Sequence, residues 1–580
     1  MHTNAQLAPT PTRLRWLAPA LVALLAAGCA SVSTAPVAAP AHSAALALLE
    51  QGQAREAAQQ LETLAASARG TSRSMLLADA AFAWHEAGDD TRARSLLSQV
   101  DARRVGGASR ARLSLLNAEL AISGGQPAGA LAALTGDPAT LPAPLQARWH
   151  LAQAAGHEAG GDALAAAAAR ARADALLQDE RRSQNRREIE RLLSSLDNAT
   201  LASRTAALPV GDPLYNFAGR ALVQRGLPLP RPFDQGQVWN FDQRAPAASD
   251  GYRPPRRLAV LLPLSGQLAT AAAPVRDGLL AGYYGENRQR PEIFFYDTAG
   301  TPAGAVAAYT RAVGEGSDFV VGPLGRDEVT ALYRESALNV PGLALNRASV
   351  APPPGHAMFS LAPEDDGLAA ADYLLAREHR RVLVLAGADD NGARAAEAFA
   401  TRLTERGGAV AATIRISERP ANLSAQLAQA AAAGADSVFL AVRGPQARAL
   451  APQLAQAGFA TRTRVGTSLL TSGTGKADED LVLDGIVFPT EAWAARGAPG
   501  LPQASLAAES LPTARGAAAR LFAFGYDAWR ISAYLERLVT RADGELRGAT
   551  GDLRLDGFGN VVRQPAWATF SGGVQVPLAR

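Results

Sequence analysis

The chain has 580 residues, 48% hydrophobic, 19% charged and 6% aromatic, with a formal net charge of +3. That length calls for two or more domains, each large enough to bury a core, and the composition excludes a disordered or fibrous chain. Setting aside the two leader arginines, Arg13 and Arg15, lowers the charge from +3 to +1, which gives no case for a nucleic-acid partner.

After Arg13 and Arg15 comes an almost unbroken apolar run, Trp16 to Ala27, and Ala26, Ala27 and Gly28 lead into the single cysteine, Cys29. The run is shorter than the roughly 20 apolar residues that span a bilayer. It suits a secretory h-region, about 7–15 residues long. The stretch resembles the lipobox of bacterial lipoproteins, although Leu25 stands four rather than three residues before the cysteine. An ordinary signal peptide with an incidental cysteine, or a short anchor, is the competing reading. The resemblance implies a lipoprotein signal peptide at 1–28, a lipid on Cys29 and a tether at 29–42 rich in Ala, Ser, Thr and Pro. Ala30 and Ser31, rather than Asp, follow Cys29, so the resemblance implies the periplasmic side of the outer membrane in a Gram-negative bacterium. With Cys29 acylated, no thiol remains for a disulfide or a metal.

Residues 43–208 are rich in alanine and leucine at helical spacing. Gly52, Gly88, Gly125 and Gly161 recur at intervals of 36, 37 and 36 residues. Each stands between two helical runs, where a left-handed turn residue is wanted. A helix–turn–helix unit near 34 residues resembles the tetratricopeptide class, whose helix pairs bury their apolar faces only by stacking. An irregular bundle with coincidental glycines is the alternative. The charge run "DERRSQNRREIERLL" (179–193) reads as a solvated helix face. Residues 209–257 are rich in proline and read as an irregular linker, with Trp239 and Phe241 pinned onto one neighbour.

From Leu258 the pattern switches. "LAVLLPL", "EIFFYDTAG", "DFVVGPLG", "VPGLALNR", "RRVLVLAGADD", "GAVAATIRI" and "DSVFLAVRG" are short apolar strands, each followed by a helical stretch. Continuous buried strands alternating with helices predict parallel sheets covered on both faces. There are enough units for two lobes, the second beginning near Ala362.

Several of these segments are similar to the LpoA family of penicillin-binding protein activators. The similarity runs through "LLPLSGQLATAAAPVRDGLLAGYY", "FYDTAG", "VVGPLGRDEVTAL", "LALNR", "SLAPEDD", "LAGADDNGARAAEAF", "FAFGYDAWRI" and "GATGDLRLDGFGNVVRQPAWATF". It covers nearly all of 258–580, whereas the N-terminal half matches in architecture alone. The resemblance implies a multidomain chain. An N-terminal all-α TPR-like helical repeat would precede a C-terminal α/β two-lobed fold like type I periplasmic-binding proteins. It further implies an outer-membrane lipoprotein that binds a bifunctional class A penicillin-binding protein and stimulates peptidoglycan cross-linking.

Ligands of such folds meet loops at the carboxyl ends of strands. By that rule Ser265, Gly266, Asp297, Thr298, Gly322, Asn346, Arg347, Asp389, Asp390 and Arg443 line the cleft. The competing reading makes the glycines tight turns and the Asp, Ser and Thr residues helix caps. "PEDDG" (363–367) offers three carboxylates, and a helix first turn accounts for them through the macrodipole. "TSGTGK" (471–476) lacks the first glycine and the final Ser/Thr of a phosphate-binding loop. His85-Glu86 has no second histidine at metal-ligand spacing, and no nucleophile elbow is present. The sequence thus offers no catalytic, cofactor or metal constellation. It leaves two functional classes: a non-catalytic activator, favoured by the helical repeat, and a solute-binding lipoprotein with a small ligand in the cleft.

Overall fold

The computed structural model describes residues 40–234, 239–335 and 337–578. Cys29 and the apolar leader lie outside them. The described residues divide into two compact units, one within 1–120 and 133–141, the other within 121–132 and 142–580.

In the first unit, helices Pro40–Glu50, Ala54–Ser67, Gly70–Glu86 and Asp90–Leu97 follow one another. Ala57, Ala58, Leu61 and Ala65 show the helical recurrence that buries one face of the second. Gly52, Gly88, Gly125 and Gly161 each join two helices with φ of 81°, 80°, 74° and 79°. Nothing lies within 4 Å of the place a Cβ would occupy at any of them, so the left-handed backbone, not space, demands glycine. The periodic glycines therefore mark real helix pairs. Asp79 is fully buried among these helices. It accepts from Arg112 Nε and Ser109 Oγ, each at 2.7 Å, and His42 Nε2 lies 2.7 Å away.

The second unit takes in most of helix Ala128–Ala133 and continues with helices Ala143–Ala159, Ala163–Asp174, Asp179–Ser194, Asn198–Ala206 and Tyr215–Gln224. The last falls inside the stretch expected to be irregular. Pro213 and Pro228 flank this helix rather than interrupt it, and Tyr215, Phe217, Ala218 and Leu222 fall on its buried side. Phe217, Ala218 and Leu222 share a core with Ile189, Leu193 and Leu201, and Phe558 packs against it. Trp239 is buried in the first lobe's core, with Phe241 against it.

Fifteen strands follow among the described residues: β1 (Arg257–Leu262), β2 (Glu292–Asp297), β3 (Phe319–Val321), β4 (Gly342–Ala344), β5 (His356–Met358), β6 (Arg381–Gly387), β7 (Ala409–Ile416), β8 (Ser437–Ala441), β9 (Thr463–Gly466), β10 (Ile486–Thr490), β11 (Leu546–Arg547), β12 (Asp552–Leu555), β13 (Val561–Gln564), β14 (Ala566–Ser571) and β15 (Val574–Pro577). The first lobe is a parallel sheet of order β2-β1-β3-β4-β5. The second repeats that order as β7-β6-β8-β9-β10 and adds β14 and β15 antiparallel at one edge. Burial explains the continuous apolar runs. Leu258, Val260 and Leu262 enter one core while Ala259 and Leu261 enter another, so β1 is covered on both faces. β6 does the same, sending Val382 and Val384 to one side and Leu383 and Leu385 to the other.

The chain crosses between lobes three times: after β5, after β10, and at Pro565 between β13 and β14. The second crossing leads into helix Gly516–Thr540, which packs on Ala269–Gly285 of the first lobe. Gly278 and Gly525 make that packing close. A Cβ on Gly278 would stand 1.9 Å from the Phe522 carbonyl oxygen, and one on Gly525 1.9 Å from that of Val275. The small antiparallel sheet β11-β12-β13 completes the first lobe's core through Leu546, Leu553, Leu555 and Val561.

Candidate functional site

The ten residues expected at the cleft do lie at strand carboxyl ends, but in separate small groups. Asp297, at the end of β2, accepts from the backbone N–H of Leu264 (2.9 Å), Ser265 (3.2 Å) and Ala299 (2.8 Å) and from Ser265 Oγ (2.6 Å). The Ser265 hydroxyl first, then the Ala299 N–H, hold its carboxyl below the usual range. Gly266 (φ 78°) closes this loop, with the Ala299 carbonyl 2.9 Å from where its Cβ would be. Thr298 is buried, and its Oγ1 accepts from Gly300 N at 3.4 Å. Gly322 lets the backbone pass Leu261, whose carbonyl oxygen would lie 2.0 Å from a Cβ there.

Asn346 folds back on its own loop, donating to the Leu324 carbonyl at 2.8 Å and accepting from Arg347 N at 2.9 Å. Arg347 pairs with Asp365. Asp389 caps helix Asp390–Glu405 through Gly392 N at 3.0 Å, and Asp390 pairs with Arg394 at 3.2 Å. Arg443 reaches Asp389 at 3.9 Å. The structure thus brings together Ser265 with Asp297, and Asp389 with Arg443. Their polar groups are engaged by caps, by their own loops or by a side chain of a neighbouring loop or helix, in separate pairs rather than one cluster.

The three acids of "PEDDG" begin helix Pro363–Leu375, and each has its own arginine. Glu364 pairs with Arg394 of the second lobe at 2.9 Å, and Asp365 with Arg347 of the first. Asp366 is 1% exposed and accepts from Ser468 N at 3.0 Å and from Ser468 Oγ. Arg563 NH2 lies 3.4 Å from it and Arg520 NH2 3.9 Å, while Arg520 also donates to Ser468 Oγ. Asp366, Arg520 and Arg563 each follow or end a segment next to one of the three lobe crossings. One buried carboxylate therefore ties all three. A helix first turn explains the acids' placement, yet it does not foretell this role.

Sequence reasoning missed Asp527 altogether. In the middle of helix Gly516–Thr540, its fully buried carboxylate accepts from Ala549 N (2.6 Å), Thr550 N (2.7 Å) and Thr550 Oγ1 (2.6 Å). Burial pushes it up to about 6, against those hydrogen bonds. The available signal was an acid inside the apolar run "FAFGYDAWRI". The loop that ends like a phosphate-binding loop closes instead on the fully buried Asp480, which accepts from Gly475 N and Arg448 NH1 at 2.7 Å each. In the helical unit, His85 faces Asp90 (2.6 Å) and Glu119 (3.3 Å). Glu119 above all raises its pKa, and Glu86 brings a third ligand atom, those of His85, Glu86 and Glu119 all lying within 4.8 Å of one another.

Two lobes of one strand order, linked by three crossings and preceded by paired helices, define a type I periplasmic-binding-protein-like domain behind a TPR-like repeat. Residues 251–573, more than half the chain, match the family described as "LppC putative lipoprotein". The chain belongs to that family. The penicillin-binding protein activator LpoA of Yersinia pseudotuberculosis serotype O:1b (strain IP 31758) is 27% identical over 337 residues, covering 50% of each chain. The protein of that name from Photobacterium profundum is 32% identical over 146 residues, 24% of each. The chain spans about half the length of the first of these relatives and about a quarter of the second. In structure, full-length LpoA from Haemophilus influenzae (monoclinic form 1) matches with a TM-score of 0.50 at 18% identity, covering 90% of this chain and 98% of that one. That likeness is one of fold. Among the described residues no helix is long and apolar enough to cross a membrane.

Proposed function

We propose that this lipoprotein activates a bifunctional class A penicillin-binding protein and so stimulates peptidoglycan cross-linking, without catalysing a step itself. The observation that carries this reading is the match to relatives named penicillin-binding protein activators. The site geometry supports it, since the polar groups at the strand ends are committed to caps and loops rather than to one reacting centre. A lipid on Cys29 holds the chain at the periplasmic face of the outer membrane. The tether that precedes helix Pro40–Glu50, shorter by its last three residues than the 29–42 expected from sequence, links the folded part to that lipid.

Activation of this kind works by differential affinity: the chain binds the active synthase conformation more tightly than the inactive one. A preference of about 1.4 kcal/mol moves the population about tenfold, which a modest interface supplies. The test is the purified synthase acting on lipid II with and without the full chain, scored by muropeptide composition. The expected result is a higher cross-linked fraction, with lipid II unchanged by the chain alone. Unaltered cross-linking across saturating amounts of the chain would overturn the proposal.

A further inference from the structure

Outside the strand ends, a cavity of about 490 Å³ opens where helix Gly516–Thr540 meets the small sheet β11-β12-β13. Its charged lining is Arg530 and Arg537 from the helix, Asp543 and Glu545 from the following loop, Arg547 from β11 and Arg554 from β12. None of the ten strand-end residues lines it.

Four guanidiniums thus face two carboxylates, and both carboxylates are already taken. Glu545 accepts from Arg554 at 2.9 and 2.7 Å. Asp543 holds the bidentate pair of Arg541 at 2.8 and 3.0 Å. Arg530 and Arg537 stand on either side of the helix's kink at Tyr534 and both face the cavity, with Arg530 beside the Tyr534 ring at 5.5 Å. Arg537 spends one nitrogen on the Asp250 carbonyl at 3.2 Å, and its Nε is buried without a hydrogen-bond partner. Arg547 is exposed and makes no side-chain hydrogen bond or ion pair among the described residues.

We infer that this cavity is a binding site for a small multivalent oxyanion, a molecule carrying two or more carboxylate or phosphate groups. Guanidinium forks match the paired oxygens of those groups, which a neutral solute leaves unanswered. The volume lies in the range of small-molecule sites and is larger than one anionic group needs. Three arginines in surplus ask for more than one negative charge.

The experiment is calorimetric titration of the purified full chain with citrate and with pyrophosphate at fixed ionic strength. Vesicles containing phosphatidylglycerol form a third arm, to separate a soluble anion from a lipid headgroup. Saturable binding of citrate or pyrophosphate, with Kd below about 1 mM, is expected. Arg547→Ala should weaken it about tenfold, and Arg547→Lys, which keeps the charge but not the fork, by less. Because Arg547 has no partner to lose, Arg547→Ala should fold as the parent does by far-UV circular dichroism. Arg311→Ala, on an exposed helix elsewhere, should bind as the parent does. No saturable binding of either soluble anion, binding to vesicles alone, or an unchanged Kd in Arg547→Ala would each overturn the assignment.

Discussion

Replacing Asp366 by alanine should cost far more than the same change at Glu364 or Asp365, although the three acids are consecutive. Asp366 is 1% exposed and its partner Arg563 has a side chain only 3% exposed. Its removal leaves that guanidinium buried with the Thr550 carbonyl, 3.3 Å away, as its remaining hydrogen-bond acceptor. It also orphans Ser468 N and strips Arg520 of a neighbouring charge. Breaking a buried pair from one side costs about 3–5 kcal/mol. The partner of Asp365, Arg347, has a side chain 40% exposed, so solvent screens what is lost, and about 1 kcal/mol or less is expected. The Glu364–Arg394 pair is about a quarter exposed on each side and belongs in the same class. A chain of several domains does not unfold in one step, so a single midpoint is a poor readout. Hydrogen exchange by mass spectrometry resolves the elements separately. Peptides covering 363–375, 463–470 and 516–524 should lose protection together in Asp366→Ala and keep nearly all of it in the other two variants. Equal losses in the three variants, or less than about 1 kcal/mol in Asp366→Ala, would refute the claim that one carboxylate secures the crossings.

Asp527, pushed up to about 6 by burial, favours its protonated form in the folded chain. Its contribution to stability is therefore full below the unfolded value of about 3.9 and is lost as pH rises through about 6, roughly 3 kcal/mol in all. The difference in hydrogen-exchange protection of 516–540 between parent and Asp527→Asn, followed from pH 4 to 7 with intrinsic rates corrected, should carry that slope. Asp79 has the opposite sign. Burial opposes its charge, but Arg112 and the hydrogen bonds from His42, Arg112 and Ser109 outweigh burial and lower its pKa. Its contribution is present above about pH 3.9 and is lost as pH falls below that, so Asp79→Asn should lower the hydrogen-exchange protection of 70–86 and 107–123 at pH 7, and its gap from the parent should narrow as pH falls below about 3.9. Gly278→Ala drives a methyl against the Phe522 carbonyl and should cost about 1–3 kcal/mol or more, read as lost protection in both 269–285 and 516–540. Arg443→Ala, at an exposed strand end, should leave synthase activation within about twofold of the parent, since activation rests on differential surface contact. A larger loss in the muropeptide assay would return the strand ends to the functional surface.

The amino-acid sequence determined what depends on near neighbours. Four glycines spaced 36, 37 and 36 residues apart announced the helix pairs, because a left-handed turn is a property of one residue. Apolar runs such as Leu258–Leu262 announced parallel strands, because a strand covered on both faces has no polar side to show. Proline content misled at Tyr215–Gln224, since flanking prolines weigh on composition without entering the helix. Roles that join distant residues were not legible. Ser468, Arg520 and Arg563 come 102, 154 and 197 residues after Asp366, and nothing local marks them as its partners. Asp527 likewise awaits a turn 22 residues on. Only the tertiary structure decided these, by bringing three lobe crossings to one place. The cost of burying a charge then selected, among three adjacent acids, the one whose partners are buried with it.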